Sequence, residues 1–595
     1  MNLFRTATFM ISLGARVDRA RLVRAVILMF AGYLAAPFVS LALGRFTDDV
    51  LVHRAATAST LAVLIAVLLV AQLMLSHFAH LDYYELAELQ ESALRTELIE
   101  LVNGPATVDH LDDATFADNI GLVREGLFSN TRALEGVLQL GGLFLQTALT
   151  VAILISLNPL LAVLPLAAVP PVLLGRHAQA VLERARESCA EQTRLHQHLL
   201  ELATDAASVK EIRIFGAAEE LIRRHDAAWQ EITSRVCRGQ AKGAALRSLG
   251  QIIFAASYGA AILLMVRQAA TGHASVGDLV LVITLAIQVS TQIAGALQLM
   301  SFLQSAGATV ARIGTMRRTS QSATRTTGQA PAPAPAVLRQ GITLENLSFS
   351  YRGSPTPVLR DICLEIPAGH TLALVGENGA GKSTLIKLLC GMYYPTGGRI
   401  LVEGDDLADL DPASWRSRAA TLFQDFYRFE LTLREGIGLG ELGLLDDTAA
   451  IMRATAAAHA NDILAVVPGG LDGFIGRGYE AGAELSGGQW QTVGLARCLM
   501  RVRPQLLILD EPAAALDATA EHALFKRYAS SARAAAQASG SITILVSHRF
   551  STVLMADTIA VLDGGSLVEH GTHAELMARR GLYAELFQLQ ARVYG

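Results

Sequence analysis

"TLALVGENGAGKSTLIKLL", Thr371–Leu389, carries three signals in one run. Leu372–Val375 is unbroken and apolar, which reads as a buried strand, and the glycines that follow interrupt it. From Thr384 the apolar positions take helical spacing. Between strand and helix, Gly376, Glu377, Asn378, Gly379, Ala380, Gly381, Lys382 and Ser383 fit the pattern G-x-x-x-x-G-K-[ST] without a gap. Glycines let the backbone wrap phosphates with its N–H groups pointing inward. Lys382 then supplies charge to the β- and γ-phosphates, Ser383 offers a hydroxyl to Mg²⁺, and Thr384 opens the helix that faces the same anion. This strand–loop–helix context predicts a nucleotide site in an α/β domain.

A second buried strand supplies acids. "PQLLILDEP" delivers Asp510 and then Glu511 at its C-terminal end. Beside a phosphate loop, Asp510 is placed to hold Mg²⁺, through water, and Glu511 to orient or deprotonate an attacking water. The bland alternative is a solvated turn. "SITILVSH" is a further buried strand. "ELSGGQWQ", Glu484–Gln491, is a second phosphate-facing element: a serine and two glycines open a helical run, where unpaired N–H groups and the helix dipole favour an anion.

The chain has 595 residues, more than one core usually serves, so at least two domains are expected. Hydrophobic residues make up 52% and the mean hydropathy is +0.37, high for a wholly soluble protein. The net charge of -5 gives no support for nucleic-acid binding. Five cysteines without CxxC spacing argue against a disulfide framework or a zinc site and suit a reducing compartment. The preference for arginine and alanine is in keeping with a GC-rich bacterial genome.

Six apolar stretches in the first half have bilayer-spanning character: Val26–Leu43, Thr60–Leu75, Val137–Leu157, Leu160–Leu174, Ile252–Ala269 and Val276–Phe302. The fourth is short and holds Pro165, Pro170 and Pro171, so a kink is expected there. The start of the chain reads as a short interfacial helix, with Phe4, Phe9, Ile11 and Leu13 among arginines, or else as a frayed polar end; it is not read as a signal peptide. Long polar helical connections separate spans two and three and spans four and five. Arginine in the second of them, at the chain's start and around Arg312–Arg318 puts both termini in the cytoplasm by the positive-inside rule. "RRTSQSATRTTGQAPAPAPAVLRQ", Arg317–Gln340, reads as a linker. The expected organisation is a membrane domain over 1–312, a linker over 313–340 and a cytoplasmic ATP-binding domain over 341–595.

These residues resemble an ABC transporter of the kind with six membrane helices ahead of one ATPase domain, and the resemblance covers essentially the whole chain. Its most specific mark is Leu485-Ser486-Gly487-Gly488-Gln489, which matches the family signature. By the same resemblance Tyr351 in "SFSYRG" stacks on adenine, and Gln424 in "LFQDF" senses Mg²⁺ and the membrane domain. Asp517 in "AAALD" is the D-loop acid, and His548 in "LVSHR" contacts the γ-phosphate. In that family each ATP lies between the phosphate loop of one ATPase domain and the signature of another. One copy of each motif therefore implies a dimer with a second half-transporter; complete principal motifs favour a homodimer, and fit the competent half of a heterodimer as well. The exporter architecture also implies coupling segments, with candidates at Asp109–Phe116 and Ser208–Phe215, which otherwise read as polar turns on a solvated face. Ala514 stands where the D-loop usually has serine, and "GRGYEAGAE" before the signature resembles a branch common in bacterial antibiotic and peptide export.

Thr284, Gln288 and Gln292 share one face of the sixth span, with Gln298 rotated from them, and Gln251 and Tyr258 share a face of the fifth. Polar side chains at this depth line a cavity or bond between helices, and the pattern alone leaves both open. No ring of charge stands within the spans, which favours amphipathic compounds, peptides or lipids as cargo. The leading expectation is ATP-driven export. The alternatives are import on the same scaffold, as for some siderophores, and a membrane protein that uses ATP only as a regulatory ligand. No protease domain precedes the first span, so a fused peptide-processing exporter is not expected.

Overall fold

The computed structural model describes residues 3–322, 331–479, 481–511, 539–547 and 549–594. They form two compact units. One comprises Met1–Glu100 with Asn119–Thr315, the other Leu101–Asp118 with Met316–Gly595.

The first unit is helical: α1 (Leu3–Val17), α2 (Arg19–Leu51), α3 (Ala55–Asn103), α4 (Ala114–Leu157), α5 (Val169–Glu187), α6 (Ala190–Thr204), α7 (Ser208–Ile214), α8 (Ala218–Ala270) and α9 (Val276–Ser322). Six segments among the described residues are long and apolar enough to cross a membrane, and each contains one of the stretches read from the sequence. In a bilayer every backbone polar group must be paired within the segment, which is why apolar runs become unbroken helices. The prolines of the fourth span act as expected: Pro159–Ala168 winds as a tighter 3₁₀ stretch before α5 begins. The start of the chain is a folded helix rather than a frayed end, with Met10 buried against Ala133 and Ala306.

Small residues set how closely the spans approach. A Cβ added at Gly250 of α8 would lie 2.8 Å from Pro171 Cα, and one at Gly239 would lie 2.8 Å from Ala185 Cβ. The two helices thus pack almost backbone to backbone. At the opposite end of the spans, a Cβ on Gly277 would sit 2.2 Å from the Gly44 carbonyl oxygen. There Asp48 of α2 accepts from the Gly277 N–H at 2.7 Å and from the Ser275 hydroxyl at 2.6 Å, closing the start of α9 with a carboxylate.

The second unit carries two sheets. A four-stranded antiparallel sheet has the order β2-β1-β4-β5, from β1 (Gly341–Phe349), β2 (Leu359–Pro367), β4 (Gly397–Val402) and β5 (Asp405–Asp406). A six-stranded sheet has the order β10-β9-β3-β8-β7-β6, from β3 (Thr371–Gly376), β6 (Ala419–Leu422), β7 (Leu506–Asp510), β8 (Ile542–Val546), β9 (Thr558–Asp563) and β10 (Ser566–Gly571). It is parallel from β9 across to β6. Its central strands are buried on both faces, as continuous apolar runs require.

Of the stretch read as a linker, residues 323–330 lie outside the described residues, and both of its described ends are structured. α9 continues through Arg317 and Arg318 to Ser322, and the Pro-Ala run packs on the second unit, with Ala334 and Leu338 buried. Ala332 N–H donates to Asp409 at 3.0 Å and Leu338 N–H to Ser539 at 3.0 Å. Proline pre-sets an extended backbone that can lie along a domain edge as readily as it can span a gap.

Replacing Asp48 with alanine leaves the Gly277 N–H and the Ser275 hydroxyl without this acceptor. The expected loss is about 1–3 kcal/mol, read as a lower thermal midpoint in detergent; an unchanged midpoint would show that the cap is dispensable.

Candidate functional site

The parallel pairing β3–β8–β7 brings the phosphate loop and the acid pair to one edge of the sheet. Leu374 is in register with Val546, and Asp510 with the same residue from the other side. The loop leaves β3 at Gly376 and enters α10, Lys382–Leu389, through Gly381 in the left-handed region at φ 98°. Only glycine fits there without strain, and a Cβ would also meet Leu359 Cδ2 at 2.5 Å. Gly379, at φ 85°, is likewise in the left-handed region, and a Cβ there would meet no atom within 4 Å.

Lys382 curls back over the loop, donating to the carbonyls of Gly376 at 2.7 Å and Glu377 at 2.8 Å. Burial pulls its ammonium below the usual lysine range, while the charges of Glu511 and Asp510 oppose that shift. Asp510 is only 4% exposed. Burial, reinforced by the adjacent Glu511 charge, pushes its carboxyl up to about 6. A buried acid beside a second acid is relieved by a cation, so the donor set suits Mg²⁺.

Glu511 adopts φ 49°, a left-handed conformation that costs a non-glycine residue of order 1 kcal/mol or more. Its neighbours hold it there. Glu511 N–H donates to Val546 at 3.0 Å, and Gln424 Nε2 donates to Glu511 Oε2 at 2.9 Å. Gln491 Nε2 donates to the Glu511 carbonyl at 2.8 Å. Gln491 lies inside the quoted "ELSGGQWQ" but was not assigned a role from sequence; a glutamine on a helical run carries no signal of where its amide will reach.

The signature begins the Gly487–Leu499 helix. Ser486 caps it, and its hydroxyl and the Gln489 side chain bond reciprocally to each other's backbone N–H. Leu485 and Trp490 are buried in the core of the helical part of the domain, while Ser486 and Gly487 are exposed. Tyr351 is half-buried; its hydroxyl lies 3.0 Å from Thr384 Oγ1, and its ring stands edge-on to Tyr393 at 5.5 Å. Asp517, His548 and Ala514 lie outside the described residues.

Tyr393 leads to a segment from far away in the chain. Its hydroxyl donates to Asp112 at 3.2 Å, Val108 N–H donates to Met392 at 2.9 Å, and Arg416 Nη1 donates to Ala106 at 2.6 Å. The first candidate coupling segment therefore packs onto the ATP-binding unit and is not a solvated turn. The second, α7, presents Ile214 and Phe215 about four-fifths exposed, at 80% and 76%.

In the membrane unit, the stripe on the sixth span is engaged between helices. Gln288 Nε2 donates to the Ala36 carbonyl and to Ser40 Oγ, both at 3.0 Å, and Gln292 accepts from Thr147 at 3.1 Å. Gln292 is 8% exposed. Of the two roles left open by their spacing, these glutamines take the interhelical one. Tyr258 is buried against Phe254, whereas Gln251 and Gln298 line an open cavity.

Comparison with known proteins gives the same reading of the chain. A family model described as ABC transporter matches residues 359–514. The mycobactin import ATP-binding/permease protein IrtB of Mycobacterium tuberculosis is 30% identical over 488 residues, 80% of this chain and 80% of that protein. The ATP-dependent lipid A-core flippase of Nitrosococcus oceani is 34% identical over 390 residues, 64% of this chain and 62% of that protein. The solved structure of a bacterial Atm1-family ABC exporter with ATP bound superposes with a TM-score of 0.79 at 27% identity, over 97% of this chain and 99% of that one. With six membrane helices ahead of one ATP-binding domain, the chain belongs to the ABC transporter family as a half-transporter of the exporter type.

Proposed function

We propose that the chain is an ATP-driven transporter of the cell membrane, working as a dimer with its ATP-binding domain and both termini in the cytoplasm. The observation that carries this is the convergence of the phosphate loop, Asp510 and Glu511 at one sheet edge, with a signature helix whose first residues face outward. With Ser486 and Gly487 exposed, "LSGGQ" serves the nucleotide of a second subunit, so each site is built from two chains. Backbone N–H groups of Gly376–Lys382 and the helix from Ser383 and Thr384 hold the phosphates, Lys382 balances their charge, and Tyr351 receives the adenine. Ser383, Asp510 and Gln424 would hold Mg²⁺, which supplies charge neutralisation when bound. Glu511 takes the proton of the attacking water, with His548 at the γ-phosphate and Asp517 at the dimer seam. Ser486, Gly487, Gly488 and Gln489 offer the partner's phosphates a helix N-terminus.

The second span supports the membrane and dimer parts of this reading. Val63, Val67, Val70 and Leu73 are each more than half exposed within the unit, a surface for lipid or a second subunit. Ile214 and Phe215 of α7 are an apolar tip for the ATPase domain of the other subunit, as Asp109–Phe116 is for its own.

The cargo is an amphipathic small molecule, peptide or lipid, and the direction is export by alternating access. Import is the second reading, favoured by one observation: a relative aligned over most of this chain is named a mycobactin importer.

Two experiments test this. Glu511→Gln should abolish ATP turnover and yield a two-chain particle retaining nucleotide when the chain is expressed alone and weighed in detergent with ATP and Mg²⁺. A single chain without trapped nucleotide would mean that a different half-transporter supplies the opposite signature, and wild-type turnover would refute the base assignment. Tyr393→Phe keeps the ring but removes the bond to Asp112. It should raise hydrogen exchange across residues 101–118 by up to about tenfold, the worth of one hydrogen bond; unchanged exchange would show that Tyr393 does not hold the coupling segment.

A further inference from the structure

A cavity of about 570 Å³ opens between α5, α8 and α9, at the end of the spans from which all three helices continue as polar extensions. That volume suits a drug-sized ligand. Arg176 comes from α5, Arg247 and Gln251 from α8, and Gln304 from α9, with Leu297 and Met300 as the apolar part of the wall. Helical spacing aims them inward: Arg247 and Gln251 are one turn apart, and Leu297 and Gln304 two turns apart. The close packing of α5 on α8 at Gly250 and Pro171 brings the two arginines, remote in sequence, to one space.

The charge there is not balanced. Three arginines near the span ends have carboxylates: Arg24 pairs with Asp82 at 2.5 Å, Arg21 with Glu85 at 2.7 Å and Arg54 with Asp49 at 3.8 Å. Among the described residues, neither Arg176 nor Arg247 has an acid within salt-bridge reach. The cavity's one carboxylate, Glu183, is already engaged by Arg186 at 3.2 Å and by Gln179 at 3.0 Å. Two guanidiniums, amides that donate or accept, and an apolar wall together define a preference: an acidic group at one end, neutral polar groups, and an apolar remainder. Guanidinium forks match the planar or tetrahedral oxygens of carboxylate and phosphate.

We propose that this cavity binds the acidic end of the transported molecule, an amphipathic organic anion whose carboxylate or phosphate is held by Arg176 and Arg247. The proposal rests on the transport reading above and narrows its substrate class. Arginines at a span end also satisfy the positive-inside rule by facing lipid phosphates. The cavity is open and both arginines are exposed, so discrimination between soluble amphiphiles is what separates the two roles: an arginine that only anchors to lipid has no reason to discriminate.

The test uses the full chain in nanodiscs of phosphatidylcholine alone, with dansyl-undecanoate and its neutral amide as fluorescent probes. The wild type should bind the carboxylate at least about tenfold more tightly than the amide, the worth of one charge-assisted hydrogen bond. Arg176→Gln with Arg247→Gln should erase that preference, and Arg176→Lys with Arg247→Lys should keep part of it. Equal binding of both probes by the wild type, or an undiminished preference in the double glutamine variant, overturns the proposal. Displacement of the carboxylate by phosphatidylglycerol added to the disc identifies a lipid headgroup as the source of the acid. Displacement by glycerol phosphate added to the buffer identifies a soluble anion. ATP-driven movement of the carboxylate probe into sealed vesicles is scored separately: binding preference without movement would sink the transport reading and leave the anion site standing.

Discussion

The register of three parallel strands governs the chemistry of the soluble half. β3, β8 and β7 lie side by side with Leu374, Val546 and Asp510 in line. Strand ends in a parallel sheet open on the same edge, so the loop after β3 and the acids after β7 must meet there. Burial of all three strands on both faces resists slipping, and a one-residue shift would take Asp510 out of line with Val546 and the end of β3. The raised carboxyl of Asp510 and the depressed ammonium of Lys382 are consequences of that fixed register: charges are held in a half-dry cleft before any ligand arrives.

Local patterns made much of this legible. A strand, a glycine loop and a helix within Thr371–Leu389 specify their own geometry, and the left-handed glycines follow from the turn that the loop must make. The six spans were legible for a similar reason, because hydropathy is a property of a contiguous window. Illegible were the features assembled from distant segments. Leu101–Asp118, within which only the family resemblance marked Asp109–Phe116 as a coupling candidate, belongs with the ATP-binding unit although more than two hundred residues separate it from β1. The arginines of the cavity lie just beyond the apolar windows, on separate helices, so that the spans read as nearly uncharged. Gln288 and Gln292 show the opposite limit: period told that they share a face, and only the neighbours Ala36, Ser40 and Thr147 told which role that face plays.

Close backbone approach is the membrane half's counterpart of strand register. With no hydrophobic drive between helices in lipid, association depends on van der Waals contact and interhelical hydrogen bonds. Gly250 against Pro171, and Gly277 against Gly44, supply the first; Asp48 of α2, bonded to the start of α9, and Gln288 of α9, bonded to Ala36 and Ser40 of α2, supply the second. These contacts lie at well-separated depths, which leaves the cavity between α5, α8 and α9 bordered by a tight seam on one side and open on another.

Gln491 ties the two phosphate-facing elements of the chain together. Its helix starts at the exposed signature, and its amide reaches the Glu511 carbonyl at 2.8 Å. Glu511 itself sits in a strained conformation and is held from a second side by Gln424. In the dimer proposed above, a phosphate drawn onto Ser486–Gly488 from a neighbouring subunit would act on the first turn of the helix whose second turn carries Gln491, the group that holds the Glu511 carbonyl. Strain stored at Glu511 makes that acid sensitive to small movements of its supports, because little is lost when it leaves a costly backbone conformation. On the proposed reading, one helix would then link the signature offered to a partner's nucleotide with the acid of this chain's own site, and the Gln491–Glu511 bond is the physical element that would carry that link.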